Sequence, residues 1–478
     1  MIYEVNTWVW LHELGASLAG VAPEAWDDVA LPGVDAVWLM GVWERSPLGV
    51  AIAEQNESLL TSFREALPDV EPDDDVGSPY CIRRYVVDER LGGPDGLAAA
   101  RAELARRGVR LVLDFVPNHL APDHPWTTEH PERFIGGTVD DLEHRPGEYL
   151  ELSGNVIALG RDPYFAPWPD VVQLNAFDAG MRAATVDALV DIGDQCDGVR
   201  CDMAMLLLND VFAQTWGDRA GPAPSEDFWP HVIPAVRARH PEMLFIAEAY
   251  WDLESVLQEH GFDHCYDKRL YDRLEHDDAS SVREHLRADP GYQRGLVRFI
   301  ENHDEPRAAH VFSDPALRAA AVAVATLPGA TLWHEGQLEG RRTRLPVFLR
   351  RRPDEPADES LRTFYRVLLA DIGAAGMLRG EWQMLETSGW ADNDSHRELV
   401  AWSWADGGRR HVVVVNLSGR RAQAQVHLPW SDLAGRQVRL AEELLDRTAY
   451  EREGDELVDH GLYVDLDAWG WHALGVER

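Results

Sequence analysis

The stretch VRLVLDFVPN, residues 109–118, decides the fold. It is an apolar run that closes on an acid, a proline and an amide. It follows PDGLAAARAELARR, 94–107, whose apolar positions recur at helical spacing and whose end is marked by Gly108 as a cap. Helix, glycine and apolar run make one repeating unit, and the unit recurs in both directions. Upstream are IYEVNTWVW (2–10) and DAVWLMGVW (35–43). Downstream are CDGVRCDMAM (196–205), MLFIAEAYW (243–251), LVRFIENHD (296–304) and ATLWHE (330–335), with a weaker run near DHCYD (263–267). Further helical stretches lie at 179–194, 314–326 and 359–373. Eight runs with helices between them predict βαβ units and a parallel sheet. No G-x-G-x-x-G follows the first run, so the expected fold is an α/β (β/α)8 TIM barrel and not a dinucleotide fold.

Two regions break this rhythm. Residues 120–175 are rich in Pro, Gly, His and acids and are too long for a βα loop, which predicts an inserted subdomain after strand 3. From 376 onward the pattern changes to alternating runs with turns, such as ELVAWSWADGGRRHVVVVNLSGR, which predicts a C-terminal antiparallel β-sandwich over 376–478. The barrel then comprises 1–119 and 176–375. A second insertion, 44–79, follows strand 2 and holds the acidic EPDDD (71–75).

The chain has 478 residues, 82 Asp and Glu against 45 Lys and Arg, and a net charge of −37. Lys268 is the only lysine. So acidic a chain repels phosphate backbones and anionic lipid, which argues against nucleic-acid and membrane partners and for a neutral small-molecule substrate. Most of the acids are expected to form a solvated surface. Arg341, Arg342, Arg344, Arg350, Arg351 and Arg352 concentrate positive charge after strand 8. Ion pairing with the acidic surface is the expected role, with an anionic sugar as the alternative. Cys81, Cys196, Cys201 and Cys265 have no zinc or C-x-x-C spacing and read as buried thiols in a reducing compartment. The N-terminus lacks a basic segment before its short apolar run, and no apolar stretch reaches about 18 residues. The expected location is the cytoplasm; the oligomeric state is not encoded in any recognisable way.

In such a barrel the C-terminal strand ends build the active site. Here they carry Asp114, Asn118 and His119 after strand 3, Arg200 and Asp202 on strand 4, Glu248 on strand 5, and Asn302, His303 and Asp304 after strand 7. Acids in apolar runs are costly unless paired or used. Arg200 and Asp202 stand two apart, so they project from one face, and the guanidinium is expected to keep Asp202 ionised. Glu248 sits among aliphatic and aromatic neighbours, where burial would raise its pKa and suit a general acid. One ionised and one protonated carboxyl on neighbouring strands is what glycoside hydrolysis requires.

The segments DFVPNH (114–119), GVRCD (198–202), AEAYW (247–251) and ENHDEPR (301–307) resemble, in order and spacing, the four signature regions of the α-amylase superfamily of retaining α-glycoside hydrolases and transglycosylases. The resemblance implies Asp202 as nucleophile, Glu248 as acid and then base, and Asp304 as the group that holds the sugar 2- and 3-hydroxyls. It implies that Arg200 orients Asp202, that His119 and His303 bind the sugar at the cleaved position, and that Tyr80 in GSPYCIRRY stacks on it. Asn302 belongs to the same binding set. Asp114 reads as a structural hydrogen-bonder. Starch-cutting members often carry Lys–His three and four positions after the nucleophile; Met205 and Leu206 stand there. An extended acceptor site and the usual calcium site are therefore in doubt, although Asn118 matches one calcium ligand, and no cofactor is expected. The implied activity is a retaining α-glycoside hydrolase acting on α-glucosidic bonds of short oligosaccharides or small glucosides. A transglycosylase would use the same three carboxylates. A non-catalytic sugar-binding relative would lack one of them. A Schiff-base aldolase would need Lys268, expected to be exposed, and a metal-dependent barrel hydrolase would need more strand-1 histidines than His12.

Overall fold

The computed structural model describes residues 1–276, 278–445 and 447–477. Eight parallel strands close a barrel: β1 (Ile2–Asn6), β2 (Ala36–Met40), β3 (Arg110–Phe115), β4 (Gly198–Cys201), β5 (Leu244–Ala247), β6 (His264–Tyr266), β7 (Leu296–Arg298) and β8 (Ala330–His334). Each pairs with its neighbours in chain order, and β8 returns to β1. Trp38, Met40, Val112, Ile246, Phe299 and Leu332 fill the interior, so the barrel is a packed core and its chemistry is confined to the rim.

The strands are shorter than the apolar runs that announce them. The largest difference is in 2–10: the strand stops at Asn6 and Thr7–Leu14 is a helix. Asn6 accepts a hydrogen bond from the Val9 amide at 3.4 Å and caps it. A short apolar run fits strand and helix alike, and the cap decides. The surrounding helices include Gly93–Arg106, Ala179–Gly193, Asp314–Thr326 and Glu359–Ala375. Gly108, at φ +72°, turns the chain out of the first of these, a conformation that glycine adopts without strain.

Between His119 and Gln173 the chain forms a four-stranded antiparallel sheet in the spatial order His119–Leu120, Trp168–Gln173, Asn155–Gly160, Tyr149–Leu152. It rises from the end of β3 and brings His119 and Trp168 over the barrel mouth. A second excursion, after β2, pairs Trp43–Arg45 with Ile82–Val87 and holds helices Pro47–Ala53 and Glu57–Ala66. The C-terminal part stacks a six-stranded antiparallel sheet on a three-stranded one, with Val412, Val414, Ala424, Val464 and Leu474 between them. It docks on the barrel through Trp402 and Trp404, whose indole N–H groups donate to the carbonyl of Thr326 at 3.2 and 2.8 Å. All four cysteines are unpaired and buried. Among the described residues no helix is long and apolar enough to cross a membrane.

Candidate active site

Arg200, on β4, is the centre of the site. Its side chain is 1% exposed, and its guanidinium lies 5.3 Å from the ring centres of Trp38 and Tyr80 and 5.6 Å from that of Tyr266. One end donates to Asp202 Oδ1 at 2.6 Å. The other approaches Glu248 Oε2 at 2.8 Å, an ion pair outside hydrogen-bond geometry. The strand ladder holds both acids, because the Asp202 amide donates to Phe115 and the Glu248 amide to Cys201. Glu248 also accepts from the Met203 amide at 2.6 Å and from the Tyr250 hydroxyl at 2.8 Å. Burial, then the charges of Asp202 and Asp304, push Glu248 up to about 7 against the pull of Arg200. Burial also raises Asp202. The guanidinium expected to hold it ionised opposes that rise and does not cancel it.

Asp304 follows β7 in a turn built by Asn302, whose Oδ1 accepts from the Asp304 and Glu305 amides, both at 2.9 Å. His303 Nε2 lies 2.9 Å from Asp304 and 2.6 Å from the Tyr80 hydroxyl. Its Nδ1 meets the fully buried Glu4 of β1. Burial disfavours an imidazolium, but the two carboxylates outweigh it and raise His303 to about 10. Burial likewise works to raise Asp304. The imidazolium, with Arg200 and Arg344, overrides it and holds the acid well below the usual carboxylate range.

The three carboxylates line one cavity of about 350 Å³ together with Tyr80, His119, Trp168 and Tyr250. His119 packs against Trp168, ring centres 5.2 Å apart, and burial lowers its pKa to about 3. Arg200, His303 and Asn302, expected to bind the sugar, are buried and do not line this cavity; His303 lines the neighbouring cleft that Asp304 shares. Asp114 is a hydrogen-bond hub, accepting from Trp38 at 3.0 Å and from the Gly41 amide at 2.6 Å. The surroundings of Asn118 do not fit a calcium ion: its Oδ1 and backbone carbonyl each accept from the Gln173 amide at 2.9 Å, so neutral amides satisfy one another there.

The arginine cluster divides. Arg351 pairs with Asp69 and Asp74, and Arg352 with Glu13 and Glu335. Arg344 is exposed beside Asp304. Lys268, expected in solvent, is instead three-quarters buried between Asp272 and Glu305.

Sequence reasoning passed over Glu4, Tyr250 and Trp251. Glu4 carried a usable signal, an acid inside the apolar run IYEVN. Glu4→Gln removes one of the two carboxylates that charge His303. The His303 titration midpoint is then expected to fall by roughly 1 to 3 pH units in ring-nitrogen NMR. An unchanged midpoint would mean that Glu4 does not act on the site.

No family model matches the chain. Among curated proteins it is 27% identical over 389 residues to the alpha-amylase MalA of Haloarcula japonica, covering 78% of this chain and 48% of that one. It is 26% identical over 325 residues to the alpha-1,4-glucan:maltose-1-phosphate maltosyltransferase of Rhodospirillum rubrum, covering 65% and 40%. The chain thus spans about half the length of these relatives, or less. Among solved structures, the maltogenic alpha-amylase AmyB of Thermotoga neapolitana superposes with a TM-score of 0.71 at 19% identity over 100% of this chain and 98% of that one. The alpha-amylase of Lactobacillus plantarum gives 0.70 at 20% identity over 99% and 98%. At such identities the structural likeness speaks for the fold, and the sequence relatives speak for the family. The chain is similar in sequence to proteins of the α-amylase superfamily and shares the fold of solved alpha-amylases.

Proposed function

We propose that the chain is a retaining α-glycoside hydrolase acting on α-glucosidic bonds of short oligosaccharides or small glucosides. The observation that carries this reading is the single buried guanidinium of Arg200 reaching both Asp202 and Glu248, at 2.6 and 2.8 Å. The two acids flank one guanidinium and each raises the proton affinity of the other. Glu248, raised to about 7, is the proton holder. Asp202, hydrogen-bonded to Arg200, is the nucleophile.

Asp202 attacks the anomeric carbon as the glycosidic C–O bond breaks, and Glu248 gives its proton to the departing oxygen. The glycosyl–Asp202 ester is then opened by water, whose proton returns to Glu248. Asp304, held ionised by His303, accepts hydrogen bonds from the sugar 2- and 3-hydroxyls. His119 and Tyr80 bind the same ring, and Asn302 sets the turn that presents Asp304. Proton NMR of the first product tests the stereochemistry: the α-anomer is expected, and release of the β-anomer overturns the retaining mechanism. No cofactor enters these steps. The cytoplasm is the compartment that suits four unpaired buried thiols.

The relatives named as maltosyltransferases support a second reading, transfer of the glycosyl group to a sugar hydroxyl by the same three carboxylates. Product analysis at high sugar concentration separates the two, because transfer yields longer saccharides and hydrolysis does not.

A further inference from the structure

We infer that Tyr250 is a positioning residue for the reaction: its hydroxyl fixes Oε1 of Glu248 as the oxygen that carries the proton, and it holds the carboxylate left behind when that proton has gone. The inference rests on the retaining-glycosidase reading above.

The two oxygens of Glu248 stand in different surroundings. Oε2 accepts from the Met203 amide at 2.6 Å, and Arg200 Nη2 lies 2.8 Å from it. An amide N–H and a guanidinium present hydrogens only, so a proton on this oxygen would meet two donors and no acceptor. Oε1 faces the Tyr250 hydroxyl at 2.8 Å. A hydroxyl both donates and accepts. It accepts from Oε1 while the proton rests there. When the proton turns to the glycosidic oxygen and is transferred, the O–H bond rotates and donates to the new carboxylate. A hydrogen bond to the charged form stabilises that form, so Tyr250 favours the proton's departure.

The backbone around the acid is unusual. Tyr250 stands two positions past Glu248, beyond the end of β5, and both side chains reach one cavity. The chain turns directly afterwards, with Trp251 and Asp252 at φ 65° and 62°. Met203, whose amide serves Oε2, is at 43°. Six non-glycine residues among those described have positive φ, and these three flank the two donors to Glu248. Such conformations are uncommon for bulky residues and cluster at functional sites.

Tyr250 is not itself the acid. Burial, then the charges of Glu248 and Asp304, keep its hydroxyl protonated well above its ordinary range. The other charged and titratable groups that act on Glu248 are Arg200 and Asp202 of β4 and its end, Tyr266 of β6, and Asp304 after β7. Lys268 and Glu305 line a neighbouring cavity with Tyr250.

The test is the pH dependence of kcat/KM on maltose, whose alkaline limb reports Glu248 in the free enzyme. Tyr250→Phe keeps the ring and removes the hydroxyl, so ionised Glu248 loses a donor. The limb is expected to rise by roughly 1 to 2 pH units. The rate on maltose is expected to fall roughly tenfold more than the burst rate on a dinitrophenyl α-glucoside, whose leaving group needs no proton. A 3-fluorotyrosine in place of Tyr250 is a stronger donor of nearly the same shape, and it is expected to move the limb down. This second variant reads the inference even where the phenylalanine variant melts early. A limb that stays in place in either folded variant, or equal losses on the two substrates, overturns the inference. The glycosidase reading fails on a different result, a limb that survives Glu248→Gln, so the two can fail separately.

Discussion

Asp202→Asn is expected to lower kcat on α-glucosides by about 10⁴-fold or more while leaving the fold intact. The amide matches the carboxylate in shape, and its oxygen can still accept the hydrogen bond that Arg200 Nη1 makes to Asp202 at 2.6 Å. It cannot form a glycosyl ester, so the first half of the double displacement is lost. Arg200 keeps Glu248 as counter-charge at 2.8 Å, which avoids the large penalty of an uncompensated buried ion. Loss of the neighbouring negative charge also lowers the pKa of Glu248, because Asp202 is one of the charges that raises it. Steady-state kinetics with a chromogenic α-glucoside measures the first effect, and circular-dichroism melting checks the fold. Undiminished turnover in a correctly folded variant would remove Asp202 as the nucleophile.

Much of this site could be read from the sequence because acids in apolar runs stand out. Asp202 in GVRCD and Glu248 in FIAEAYW violate the expected composition of a buried strand, and barrel topology sends strand ends to one rim. What could not be read depends on distance along the chain or on backbone conformation. Glu4 violates the same composition, but its partner His303 lies 299 positions away. Without the barrel closed, nothing tells a paired acid from a chance one. The helix at Thr7–Leu14 is hidden because WVWL fits either period, and its caps, Asn6 and Gly15, are the local signals. The left-handed pair Trp251–Asp252 had no glycine to mark it. Arg269, from another element, hydrogen-bonds the Asp252 carboxylate, a tertiary contact with no local sequence signature.

Glu248→Gln is expected to divide substrates by leaving group. For an alkyl or sugar aglycone, whose oxygen must be protonated as it departs, kcat should fall by about 10² to 10⁴-fold. For a dinitrophenyl α-glucoside, whose leaving group departs as the anion, formation of the glycosyl–Asp202 intermediate should proceed almost unimpaired. Hydrolysis of that intermediate still lacks its base, so a burst of dinitrophenol equal to the enzyme concentration should precede a slow steady state. The wild-type pH profile follows from the same group. Burial, followed by the charges of Asp202 and Asp304, raises Glu248 to about 7. The acid form is the one that donates, so activity on alkyl glucosides should decline as pH rises through this value, while protonation of Asp202 sets the separate decline on the acid side. The glutamine variant has no proton to lose there, so its residual activity should show no alkaline decline near pH 7. Equal losses for both leaving groups, or a decline that survives the substitution, would assign the proton to another residue. Tyr250, whose hydroxyl lies 2.8 Å from Glu248, would be the first to test.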